Sequence, residues 1–324
     1  MRAAGGWGGA SGSRASEGRG FRLGTGLVAL LVPAAVAGIA VVLTSGSILS
    51  IKEFGLSFWG TRTWDPVAGQ FGALPFIWGT LYSSVLALLL STPIALGIAI
   101  FLSDLSPYAL RQPLVFLTEL LAAIPSIVYG LWGIFVLVPI VRSLEMRTPA
   151  WLRHTPLFEG PPVGVGMLAA SLILAVMVIP FTASVAREVL KAVPATQREA
   201  AYALGATRWE AIRATLFYGR TGIIGAIMLG LGRALGETMA VTMVIGNSPA
   251  ISLSLFAPQY TMAAVIANEF TEAADALYLH ALVEIGLVLF IITVAINALS
   301  RLLIWRVAAE RQPRVVLPAA APIG

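Results

Sequence analysis

Cysteine is absent from the 324 residues, which excludes a disulfide framework, a thiolate nucleophile and any cysteine-based metal site. Histidine occurs only as His154 and His280, too far apart for the paired ligands of a zinc-protease helix. Charge is scarce as well. Only 11% of the residues are Asp, Glu, Lys or Arg and 58% are hydrophobic, against about 25% and roughly 45–50% in an ordinary soluble domain. That balance excludes a water-soluble enzyme, a disordered chain, a collagen-like repeat and a nucleic-acid-binding protein. Lysine is nearly missing: Lys52 follows Ile51 and Lys191 follows Leu190, so no Gly-Lys-Ser/Thr loop exists to cradle a nucleotide phosphate. If the work of this protein needs ATP, another chain must hydrolyse it.

What the sequence has in abundance is long apolar runs. They occupy about 24–44, 75–102, 114–141, 163–182, 221–246 and 280–304, each long enough for the roughly 20 residues with which a helix crosses the hydrocarbon. The runs are continuous rather than alternating, which rules out a barrel of short strands. The expected fold is therefore an all-α membrane protein with six transmembrane helices, its permease domain spanning 23–306. Residues 1–22, with seven Gly and scattered Ser and Arg, read as a flexible tail, and 307–324 as a second tail. The first run is too long for a signal-peptide core and reads as a retained span. With both tails inside, fifteen Lys/Arg fall on the inner segments and five on the outer ones, an asymmetry that puts both termini in the cytoplasm. The outer segment 247–279 has Met262, Val265, Ile266 and Phe270 at helical spacing, with Glu269, Glu272, Asp275 and no cation. It reads as an amphipathic helix at the outer face.

The inner loop 183–220 is ordered by its own residues. Thr196 with Glu199, and Thr207 with Glu210, have the spacing of two capping boxes, and Gly205 stands where the first of two short helices must end. Ala200, Ala201 and Leu204 form a small apolar face on the first helix; Trp209, Ile212 and Leu216 form one on the second. Such a knob ringed by Arg either rests on lipid headgroups or enters a groove of a partner.

The fifth run carries Arg233 twelve residues from one end, hence near mid-membrane, with Glu237 four residues on. A charge there costs from about 2.5 to more than 10 kcal/mol, so it faces the bundle interior or a water-filled path. The guanidinium offers planar donors matched to an oxyanion. A neighbouring carboxylate repels a fully ionised oxyanion but accepts a hydrogen bond from one that keeps a proton, as phosphate does near neutral pH. The competing reading is a structural ion pair. Glu119 and Glu284 could complete a charge network with Arg233, or each sit near a helix end. Gly9-Ala10-Ser11-Gly12 matches a serine-hydrolase string, but it lies in the polar tail, and an intramembrane hydrolase is set aside.

Two strings carry a family resemblance. Glu199-Ala200-Ala201 with Gly205 six residues after the Glu, followed by Gly222-Ile223, resembles the EAA loop of binding-protein-dependent ABC importers, although Tyr218 stands where that family usually has Pro. Gly232-Arg233-Ala234-Leu235-Gly236-Glu237-Thr238-Met239-Ala240-Val241 closely resembles the signature of the PstC-type permease subunits of phosphate importers. The resemblance covers about 24–306 and implies the type I ABC importer permease fold. It implies a transport subunit of the bacterial inner membrane with no catalytic site or cofactor of its own, forming half of the path for phosphate. The implied partners are a second homologous permease (PstA type), two ATP-binding subunits (PstB type) that hold ATP and Mg, and an external phosphate-binding protein (PstS type). By the same resemblance Glu199, Ala200, Ala201, Leu204, Gly205, Trp209 and Ile212 couple to the ATPase, while Arg233, Glu237 and Thr238 line the path. Permeases for sulfate or molybdate, and an anion channel, remain as alternatives.

Overall fold

The computed structural model describes residues 11–309, with side chains over 24–307, and among these the chain is helical without a strand. Six helices are long and apolar enough to cross a membrane: Gly24–Gly46, Leu74–Leu105, Ser126–Arg147, Met167–Lys191, Arg208–Leu235 and Ala276–Val307. The first belongs to α1 (Ser11–Gly46), and α2 (Ile48–Phe54) and α3 (Ser57–Gly60) follow it. α1 extends back to Ser11, into the segment expected as a tail. Adding residues to an existing helix costs far less than nucleating one, and the apolar run supplies the nucleus. Residues 1–10 and 310–324 lie outside the described residues, and with them part of the first expected tail and most of the second.

The second span is α4 (Leu74–Ile100), which continues into a π turn over Phe101–Leu105. The run expected over 114–141 is not one helix. It divides into α5 (Tyr108–Ala123) and α6 (Ser126–Trp132), and a π turn at Gly133–Leu137 joins α6 to α7 (Val138–Arg147). Proline is the cause: its ring pushes the preceding residue out of the helical region. Ile124, with ψ 130°, is extended before Pro125, as Ser106 (ψ 131°) is before Pro107 and Thr148 (ψ 126°) before Pro149, where the short α8 (Ala150–Arg153) begins. Only the α6–α7 part is long enough to count as the third span.

The fourth span, α9 (Met167–Lys191), is the axis of the bundle and the most buried of the six. It packs most extensively against α4, and the reason is written along α4. Gly79, Ser83, Ala87, Ser91, Ala95 and Ala99 recur every fourth residue and all are buried. Such a ladder of small residues lets two backbones approach closely where no water drives helices together. Ala87 shares a core cluster with Met177 and Val178 of α9, and Ala99 with Ala186 and Leu190, while Gly79 meets the Tyr260 carbonyl instead.

The hairpin between the fourth and fifth spans is α10 (Ala195–Ala203) followed by α11 (Arg208–Leu235). Its second helix is not short, since α11 runs without a break from the hairpin through the span. The capping box of Thr207 and Glu210 forms, with Thr207 N donating to Glu210 Oε2 at 2.7 Å. The one expected at Thr196 and Glu199 does not, because Pro194 takes the cap position and Thr196 falls inside the first turn. At the far end of the bundle, α12 (Met239–Val244), a looped segment over 245–261 and α13 (Met262–Glu269) lead to α14 (Ala276–Ala309), the sixth span. α13 is the helix expected in 247–279. Met262 and Val265 are buried, and Glu269 Oε2 accepts from Trp64 Nε1 at 2.9 Å and from the Tyr278 hydroxyl at 2.7 Å.

Candidate translocation site and coupling hairpin

The fifth run breaks after Leu235. Gly236 caps α11, and Glu237 and Thr238 form the short joint before α12. Arg233 therefore occupies the last turn of α11, about 20 Å along the helix from Arg220 at 1.5 Å per residue. The break also separates the expected pair: Glu237 no longer shares a helical face with Arg233. Its Oε1 accepts from Ala240 N at 3.4 Å at the start of α12, and no carboxylate among the described residues lies within 4.0 Å of Arg233. Thr238 turns back on the joint, its hydroxyl donating to Gly236 O at 3.3 Å.

Three residues that spacing did not single out surround this arginine. The Phe181 ring centre on α9 lies 6.0 Å from the guanidinium carbon, at the limit of a cation–π contact. Tyr129 on α6 lies in its electrostatic field and donates to Leu121 O at 2.8 Å. The Thr182 hydroxyl is buried without a hydrogen-bond partner, close to Gly230 one turn before Arg233. Beside Tyr129, Leu121, Ile124, Val128, Trp132 and Val176 line an apolar cleft of about 320 Å³ at the α5–α6 break. Arg233 Nε has no hydrogen-bond partner in the chain. A partly buried cation without a protein counter-charge, beside one aromatic ring and no carboxylate, can receive an anion. No sequence period connects α6, α9 and α11, so only the fold reveals the grouping.

The expected charge network does not form. Glu119 on α5 is 58% exposed and lies 3.7 Å from Arg187, a buried cation near the C-terminal end of α9 that also meets Glu188 at 2.6 Å. Glu284 on α14 is buried instead against α2 and α3, beside a cleft of about 230 Å³ lined by Ile51, Gly55, Leu56 and Trp59. The two carboxylates sit on different elements at different depths from the break, which is why neither reaches Arg233.

In the hairpin, Gly205 takes φ +81°, the left-handed conformation that glycine alone adopts freely. Ala206 N donates to Ala201 O at 3.1 Å and Gly205 N to Tyr202 O at 2.9 Å, which closes the turn. Leu204 is 90% and Trp209 64% exposed, and Glu199, Ala200 and Ala201 lie on the α10 that precedes them, while Ile212 is buried against the bundle. Bulky apolar side chains thus stand clear of the spans at the tip of the hairpin.

Residues 95–308 match the family described as "Binding-protein-dependent transport system inner membrane component". The chain belongs to that family. Members of such families make the resemblance of the two strings specific: the chain is 46% identical over 296 residues to the phosphate transport system permease protein PstC of Mesorhizobium japonicum, covering 90% of each chain. It is 49% identical over 290 residues to the protein of that name from Haemophilus influenzae, covering 88% of this chain and 92% of the relative. Among solved structures, the MetNI methionine ABC transporter in an inward-facing conformation superimposes with a TM-score of 0.55 at 18% identity, over 71% of this chain and 94% of the other. The type I importer permease fold is thereby shared, and the six apolar helices make this family member a multi-pass membrane protein.

Proposed function

We propose that this chain forms half of the membrane path of an importer for inorganic phosphate, driven by ATP that partner subunits hydrolyse with magnesium. The observation that carries the reading is Arg233, an unpaired guanidinium at an interrupted helix within the membrane. The name of the relatives that match nine-tenths of the chain supplies the anion. The second half of the path comes from a homologous permease, and an external phosphate-binding protein delivers the substrate to the end that carries α13. Both termini and the hairpin face the cytoplasm, in keeping with fifteen inner and five outer cations. The exposed hairpin tip, with Leu204 and Trp209, then docks in a groove of the ATP-hydrolysing subunit.

Arg233 binds phosphate in passage through its planar donors, and Glu237 and Thr238 flank it across the joint. A carboxylate there favours an oxyanion that still carries a proton and disfavours sulfate and molybdate, which carry none. The test is to purify the chain with its partners, reconstitute the complex in liposomes, and follow labelled phosphate and sulfate with and without ATP. Uptake of phosphate that requires ATP supports the reading. Preference for sulfate, or phosphate flux without ATP, would overturn it.

A further inference from the structure

Arg198 stands on α10, and its guanidinium leaves the hairpin for the ends of three other helices. Nη1 lies 2.9 Å from Oδ1 of Asp104, in the π turn that ends α4. Nη2 donates to Leu190 O at 3.4 Å at the end of α9, and Nε donates to the Thr215 hydroxyl at 3.3 Å on α11. One side chain thus joins the π turn after α4, the end of α9 and the first turns of α11.

Asp104 is held as firmly. Its side chain is only 9% exposed, and the Ser103 hydroxyl donates to its Oδ2. Its carbonyl accepts from Arg208 Nη2 at 2.7 Å, and the neighbouring Ser103 carbonyl accepts from Arg111 Nη2 on α5 at 3.0 Å. Arg198 and Arg208 lie on either side of the Gly205 turn, so both arms of the hairpin are fastened to a single residue of the π turn that ends α4. Apolar packing could hold the hairpin at equal or lower cost, since an ion pair away from bulk water is a weak source of stability. What charge-assisted, forked bonds add is direction: they resist sliding as well as separation. The π turn that carries Asp104 departs from the helical ladder, a feature that clusters at functional positions.

We propose that Asp104 and Arg198 are positioning residues for energy coupling, which fasten the hairpin to the end of α4 so that a push on the hairpin moves α4 and α9 as one body. The proposal rests on the reading that the hairpin docks on the ATP-hydrolysing subunit. The docking surface itself, around Leu204 and Trp209, lies at the exposed tip, and the brace is on the bundle side.

The experiment compares the complete reconstituted importer with Asp104→Asn, Arg198→Gln and the double variant, reading phosphate moved per ATP hydrolysed and, separately, the amount of ATP-hydrolysing subunit that co-purifies. The expected result is normal co-purification and a ratio lowered about tenfold or more by each single change, as the loss of one charge-assisted bond implies. The double variant should be no worse than the more damaged single, because the two residues act as a unit. Arg198→Lys, which keeps the charge opposite Asp104 but cannot reach all three elements, should fall between. A normal ratio, or losses that multiply in the double variant, would overturn the proposal. Loss of the partner subunit would overturn it too, since the pair would then build the docking face rather than transmit through it. If Asp104→Asn does not reach the membrane, Arg198→Lys decides alone: a lowered ratio supports the brace and a normal one removes it. Failure of the docking reading is separately visible, as retention of the partner when Gly205 is replaced by Val.

Discussion

Gly79 is the position where the smallest possible change should do the most. A Cβ built there would lie 2.1 Å from the Tyr260 carbonyl oxygen and 2.9 Å from its carbon, both backbone atoms that no rotamer change can move aside. Recovering ordinary contact requires the 245–261 segment to retreat by about 1 Å. That segment and the first residue of α13 are tied to the same stretch of α4 by three hydrogen bonds: Trp78 Nε1 to Ser252 O at 2.9 Å, the Tyr82 hydroxyl to Leu253 O at 2.7 Å, and Met262 N to the Thr80 hydroxyl at 2.9 Å. Overpacking costs about 1–3 kcal/mol, and loosening two of these bonds adds about 1 kcal/mol each. Gly79→Ala should therefore lose about 3–5 kcal/mol, although alanine is the better helix former. Gly97 on the same helix gives the control. Nothing lies within 4 Å of a Cβ there, so Gly97→Ala should be neutral or stabilising by up to about 1 kcal/mol. Because the chain has no cysteine, Ser254→Cys supplies a single thiol at a position only 2% exposed. Thermal unfolding of the purified complex and the rate of thiol labelling should both change with Gly79→Ala and neither with Gly97→Ala. Unchanged melting and labelling in the Gly79 variant would refute the argument that this segment is pressed onto α4.

Arg233→Lys should lower phosphate uptake at least about tenfold while the complex stays assembled, because the charge remains but the planar fork is lost. Arg233→Gln should abolish uptake yet leave the melting temperature equal or higher, since no ion pair is broken; a large loss of stability would show a structural role instead. Glu237→Gln should narrow the preference for phosphate over sulfate, measured as competition between the two labelled anions. Gly205→Val should release the ATP-hydrolysing subunit: no atom crowds the site, so the strain of about 1–2 kcal/mol comes from φ alone and re-aims the turn. Retention of that subunit in a pull-down would count against docking by the hairpin. With single cysteines at Val67 and Leu204, which are 99% and 90% exposed, an impermeant reagent on intact cells should label the first and spare the second; the reverse pattern would invert the topology.

The spans were legible because apolar length is a one-dimensional property, and so were Gly205 and the box at Thr207, whose physics is local. Interruptions were harder to read. Pro125 lies inside the run expected as one span over 114–141, yet Ile124 before it is extended and the helix starts anew. The box at Thr196 has the right spacing and fails because Pro194, two residues earlier, already fixes where the helix begins. The pairing of Arg233 with Glu237 assumed unbroken α-helix between them, and Gly236 ends that helix. Residues that meet through tertiary packing, such as Phe181 and Tyr129 around Arg233 or Asp104 beneath Arg198, leave no periodic trace. The four-residue ladder on α4 was in plain view, but an apolar run of sufficient length already accounts for a span and conceals which of its small residues meet a neighbouring backbone.

The continuity of α11 has a mechanical consequence. From Arg208 to Arg233 the helix has no proline and no interruption, a rod of about 38 Å at 1.5 Å per residue. Pivoted near its middle, a tilt of about 10° swings both ends by about 3 Å in opposite senses, a distance comparable to a whole hydrogen bond. On the proposed role of Arg233, a modest tug at the capped end would carry the guanidinium from contact with an anion to clear of it. The same lever works backwards: an anion that grips Arg233 resists the tilt and is felt at Thr207.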